Sequence, residues 1–86
     1  MVNTLQTTTP GNQTAHAQQI LIFKTTICTE SDKRFIGRVM KDCHIIDWSV
    51  DLHDVDCVLR IVTADYSIDQ IIWLICSNGF LCEELR

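Results

Sequence analysis

Two hydrophobic periods alternate along the chain from Ile20 to Arg86. Ile20-Leu21-Ile22-Phe23 is a short β-branched and aromatic run ending at Lys24-Thr25-Thr26, and it predicts a strand. Thr29-Glu30-Ser31-Asp32 then reads as a helix start, with Thr29 as the cap and the acidic residues where the helix dipole favours them. Phe35, Ile36, Val39, Met40 and Cys43 follow at helical spacing. Ile46, Trp48, Val50 and Leu52 alternate with Asp47, Ser49, Asp51 and His53, which predicts a strand with one buried and one wet face. Asp54-Val55-Asp56 supplies a turn. Cys57, Leu59 and Ile61 then alternate with Val58, Arg60 and Val62 as the hairpin partner. Ser67-Ile68-Asp69-Gln70 is a capping box, and Ile68, Ile71, Ile72 and Ile75 form the stripe of a second helix. Asn78-Gly79 stops that helix, and Phe80-Leu81-Cys82 opens a last strand reaching about Leu85.

The expected fold class is therefore α+β. It is a ferredoxin-like βαββαβ sandwich, in which a four-stranded antiparallel sheet of order 4-1-3-2 carries two helices on one face. The expected domain covers residues 20–86. Residues 1–19 hold no Asp, Glu, Lys or Arg and are rich in Thr, Gln and Asn. Such a segment cannot bury enough surface to offset its ordering entropy, so it reads as a disordered tail. It has neither a basic start nor an apolar run long enough for a secretory signal. The Asn12-Gln13-Thr14 sequon is then read as chance.

The domain resembles the heavy-metal-associated (HMA) domains, which include soluble copper chaperones and the N-terminal modules of copper-exporting ATPases. Three segments carry the resemblance: Ile22-Phe23-Lys24-Thr25-Thr26-Ile27, the hairpin from Trp48 to Leu59, and the ending Gly79-Phe80-Leu81-Cys82-Glu83-Glu84-Leu85. Such domains place Met-x-Cys-x-x-Cys between the first strand and the first helix and bind Cu(I) through its two thiolates. In this chain Ile27 stands at the Met position, and Thr29 and Asp32 stand at the two Cys positions. Cys28 is shifted by one and has no partner three residues on. The resemblance thus implies the fold with a degenerate metal loop.

Composition leaves room for other chemistry in the cysteines. The chain holds five, an odd number that cannot close into a complete intrachain set. With no export signal, reduced thiols in a cytoplasm are expected. The topology gathers Cys28, His53 and Cys57 towards one pole, where they are candidate ligands for Cu(I) or Zn²⁺. Against that, Cys57 shares the parity of Leu59 and Ile61, and Cys82 that of Phe80, so both read as small core hydrophobes. Cys76 borders the apolar stripe of its helix and reads the same way. Core filling is the preferred reading, and no cofactor is expected under it. No catalytic set stands out, so the chain is not expected to be an enzyme. Cys28 just ahead of a helix leaves a thiol redox protein as a weaker alternative.

Charge points to a partner. The net charge is −4, which argues against nucleic acid. No stretch is long and apolar enough for a membrane helix. Lys33, Arg34, Arg38 and Lys41 nevertheless lie together on the first helix. Trp73 and Leu74 flank the stripe of the second helix and are a candidate contact patch, with packing of Trp73 against a neighbouring strand end the preferred reading. The reading that follows is a monomeric, cytoplasmic, HMA-like interaction module that has lost its metal site and binds a protein through the basic helix face. A soft-metal binder or chaperone with a displaced site at Cys28 is the alternative.

Overall fold

The structure is a computed structural model and describes residues 17–85. The tail reading falls almost wholly on residues outside that range, and Gln19 already belongs to a strand. The elements run β1 (Gln19–Thr25), α1 (Glu30–Asp42), β2 (Asp47–Val50), β3 (Leu59–Thr63), α2 (Ile68–Ser77) and β4 (Cys82–Glu84). The strands form one antiparallel sheet with the neighbour order β2-β3-β1-β4.

Alternation sets the faces of the sheet. Leu21, Phe23 and Thr25 of β1 are buried, and so are Leu59, Ile61 and Thr63 of β3. The register pairs Leu21 with Ile61 and Phe23 with Leu59, so the buried set forms one surface. Ile36 and Met40 of α1 and Ile71 and Ile75 of α2 close over it in a single cluster. Both helices therefore cover the same face, and exposed Ile20, Lys24 and Arg60 mark the other.

Each helix is delimited by its own side chains. The Thr29 hydroxyl accepts the Asp32 N–H at 3.0 Å, with Glu30 and Asp32 in the first turn. In α2 the Gln70 N–H reaches the Ser67 hydroxyl at 3.2 Å, and the Gln70 side chain accepts the Ser67 N–H at 2.8 Å. Ser67→Ala is expected to cost about 1 kcal/mol, the usual worth of such a cap, read as a lower urea midpoint. Gly79 follows the α2 cap at φ +95°, which only glycine adopts without strain.

The hairpin departs from the alternation. A strand through residues 46–53 is expected, but β2 ends at Val50 and β3 begins only at Leu59. Ile46, expected on the buried face, is 91% exposed, while Ile45 is buried. The cause lies at the end of α1. His44 takes φ +59°, and the Ile45 N–H bonds back to the Met40 carbonyl at 2.8 Å. The chain is thus turned inward at Ile45, two residues before β2 pairing starts at Asp47. At the other end Asp51 and Asp54 each accept the N–H two residues on, from His53 and Asp56. These short-range bonds favour turns over strand, which puts His53 in a loop and not on a strand face.

Candidate functional site

Three chain segments meet beyond the end of β1, and two threonines hold them. The Thr25 N–H donates to the Asp56 carbonyl at 3.0 Å. Its buried hydroxyl donates to the Cys57 carbonyl at 2.7 Å and accepts the Ile27 N–H at 3.1 Å. The Thr26 N–H donates to the Leu81 carbonyl, and the Thr26 hydroxyl accepts the Leu81 N–H at 2.9 Å. The β1–α1 loop is thereby fixed to the hairpin loop on one side and to the approach to β4 on the other. Lys24 adds an ion pair to Asp56 at 3.6 Å. Both ends are well exposed, so it contributes little.

Cys28 and Cys57 are joined at this pole by a disulfide, with their Cα atoms 5.5 Å apart. This corrects the expectation of reduced thiols. An odd count leaves room for one pair with three thiols left over, and those are Cys43, Cys76 and Cys82. Cys57 is buried, as its parity implies, but as half of a cross-link and not as a core thiol. Its φ of +43° is a glycine-like conformation. Glycine would sit there at less cost, so what the cysteine supplies is its sulfur.

The three candidate metal ligands are therefore in different states. Cys28 and Cys57 are brought together but are engaged with each other, and a disulfide sulfur is not a thiolate ligand. His53 is exposed in the hairpin loop, with its N–H on the Asp51 carboxylate. Among the described residues no three His, Cys, Asp or Glu side chains form a group that could hold a metal ion.

Of the remaining cysteines, Cys43 stands at the helix end where it is expected, Cys82 packs only partly against the core, and Cys76 departs from its expected core place. Cys76 is exposed, because Ile71 and Ile75 carry the buried edge of α2 and Cys76 lies one position further round. Cys82 is half-buried opposite Thr25. Burial, and then the nearby Cys76, pushes the Cys82 thiol up to about 12, so it stays protonated at neutral pH. Both line a cavity of about 420 Å³ with Thr25, Thr26 and Leu81. Cys43 caps α1 at the far end, where the Tyr66 hydroxyl donates to its carbonyl at 2.9 Å. A second cavity of about 400 Å³ lies there between Tyr66 and Trp73. Trp73 is 71% exposed, which does not fit the expected packing against a strand end.

Arg34, Arg38 and Lys41 are exposed and Lys33 is half-buried. The two ion pairs among the described residues join Lys24 to Asp56 and Arg60 to Asp47, and neither uses α1.

The Cys28–Cys57 bond is the feature of this pole that sequence reasoning missed. The signal was present in part, since both cysteines were placed at one pole on adjoining segments. The positive φ that turns Cys57 towards Cys28 leaves no trace in residue type. No helix among the described residues is long and apolar enough to cross a membrane. No protein-family model matches this chain, and comparison with curated proteins and with solved structures returns no match.

Proposed function

We propose that the chain is a non-catalytic protein-interaction module with a ferredoxin-like, HMA-like fold, and that the outer face of α1 docks on an acidic protein surface. The element order β-α-β-β-α-β supports the fold reading. Counted from the β4 edge, the neighbour order is 4-1-3-2. The observation that carries the docking reading is the set of four cations on α1, none of them in an ion pair among the described residues. Complementary charge of this kind steers encounter and sets specificity more than it adds affinity.

An oligoglutamate peptide is a direct probe of that face. Its binding is expected to weaken steeply with salt and to vanish in the Arg34→Glu/Arg38→Glu variant. The same variant is expected to keep its unfolding free energy within about 0.5 kcal/mol, the usual range for exposed positions. Unchanged binding by the double reversal overturns the docking reading.

Soft-metal binding remains the second reading, and the observation favouring it is the approach of Cys28 and Cys57. It applies to the reduced chain only, with Cu(I) or Zn²⁺ on the two freed thiols and His53. The location proposed is the cytoplasm and the state a monomer. Persistent structural disulfides are rare in a reducing cytoplasm. A cytoplasmic chain would therefore carry this pair as a cycling one.

A further inference from the structure

We propose that Cys28–Cys57 is a thiol-exchange site, at which the Cys28 sulfur forms a mixed disulfide with a small exogenous thiol. The inference stands apart from the docking reading, because it rests on the pole of the sheet and not on the cations of α1.

The two sulfurs of the bond are not equivalent. Cys28 is exposed in the loop ahead of the Thr29 cap, whereas Cys57 is only 4% exposed. A thiolate attacks a disulfide along the sulfur–sulfur axis, on one sulfur, and expels the other. Cys28 is the exposed residue of the pair and Cys57 the buried one, so Cys28 takes the attack and Cys57 is the leaving group.

What happens to the leaving sulfur decides whether the step is reversible. The Cys57 backbone is held independently of the disulfide. Its N–H donates to the Asp54 carbonyl at 2.9 Å, and its carbonyl accepts the Thr25 hydroxyl. The expelled sulfur thus stays beside Cys28. It can attack the mixed disulfide, reform the Cys28–Cys57 bond and release the small thiol. An accessible attacked residue backed by a fixed, buried resolving one suits such exchange, because access helps decide which sulfur is attacked.

The electrons balance with a small thiol as the only co-reactant. In the first step a thiolate RS⁻ bonds to the Cys28 sulfur, the Cys28–Cys57 bond breaks, and its electron pair leaves on Cys57, which takes up a proton. In the second step another RS⁻ bonds to the sulfur of R, and Cys28 leaves as a thiolate and is protonated. Overall, two RSH are oxidised to RSSR and the protein disulfide is reduced to two thiols, a two-electron exchange.

The remaining cysteines provide internal controls. Cys76 is exposed with no disulfide to exchange, and Cys43 and Cys82 are half-buried. None is bonded, so reduced glutathione has nothing to exchange with at those positions.

The full chain is incubated natively with reduced glutathione, quenched with an alkylating agent and mapped by peptide mass spectrometry. Glutathione is expected on the Cys28 peptide, in at least roughly tenfold excess over the Cys57 peptide, with Cys57 appearing as the newly alkylated thiol. Circular dichroism is expected to show the sheet intact during the reaction. A Cys57→Ala variant gives a second reading should exchange prove fast. Its free Cys28 is expected to take glutathione from glutathione disulfide, and the buried Cys57 of Cys28→Ser is expected not to. Equal modification of both cysteines, exchange only after denaturation, or a native chain already reduced in air would each overturn the proposal.

Discussion

Cys28→Ser is expected to lower the unfolding free energy by about 3.5 kcal/mol, from the loop-closure entropy of a cross-link over this span. The bond joins residues 29 apart in sequence, so it restrains the unfolded chain over the whole of α1 and the first hairpin strand. The change acts almost purely through that restraint. Position 28 is exposed, so a serine hydroxyl remains hydrated. Cys57 becomes a buried thiol, which behaves as a small hydrophobe. The effect is large against the whole: a domain of this size holds roughly 3–10 kcal/mol, scaling from 0.05–0.15 kcal/mol per residue. Urea unfolding measures it, with the reductant-treated natural chain as the second arm. Both are expected to unfold at the same lowered midpoint. A loss below about 1 kcal/mol would mean that the hairpin loop and the β1–α1 loop are already tied by their hydrogen bonds, with little left for the cross-link to restrain.

Much of the fold was legible because local chemistry and tertiary packing agree over most of the chain. Thr29 and Ser67 cap the helices that their sequence context announces, and Gly79 ends α2 with the positive φ expected of it. Where the two conflict, the pattern misleads. The alternation from Ile46 to His53 is perfect as a sequence, but it takes no account of the turn at His44 or of the Asp51 and Asp54 side chains. Those residues bind their own backbone and take Leu52 and His53 out of the ladder. Ile45 then fills the place meant for Ile46.

The candidate site was less legible, for a related reason. Parity correctly buries Cys57, but burial alone does not separate a thiol from half a disulfide. Nor does the sequence show that Thr25 would turn a hydroxyl inward to fix the Cys57 carbonyl. The basic stripe of α1 was legible because exposure follows directly from helical spacing once the apolar face is set. What the stripe meets lies outside the chain.

Thr25→Val tests whether the pole of the sheet is one unit. The substitution keeps the shape and removes a hydroxyl with two partners. Thr25, Ile27 and Cys57 are all nearly inaccessible, so the Ile27 N–H loses its acceptor and the Cys57 carbonyl its donor with little water at hand. Each buried group left unpaired costs about 1–3 kcal/mol, and a loss of about 3 kcal/mol is expected. Thr25→Ser keeps both bonds and drops one methyl, so it is expected to cost only about 1 kcal/mol. The ordering of the two variants distinguishes lost hydrogen bonding from lost packing. The sharper measurement is Thr25→Val made in the Cys28→Ser background. With the cross-link gone, the Cys57 loop is free to relax and let water reach the orphaned carbonyl. The valine is then expected to cost less than it does in the natural chain. A coupling of about 0.5–3 kcal/mol is the range for groups that share a partner. Strict additivity would mean that the threonine clip and the disulfide stabilise the hairpin loop independently. The resolving sulfur would then owe nothing to the Thr25 hydroxyl for its position, and the backbone bonds from Cys57 to Asp54 and from residue 25 to Asp56 would hold Cys57 beside Cys28.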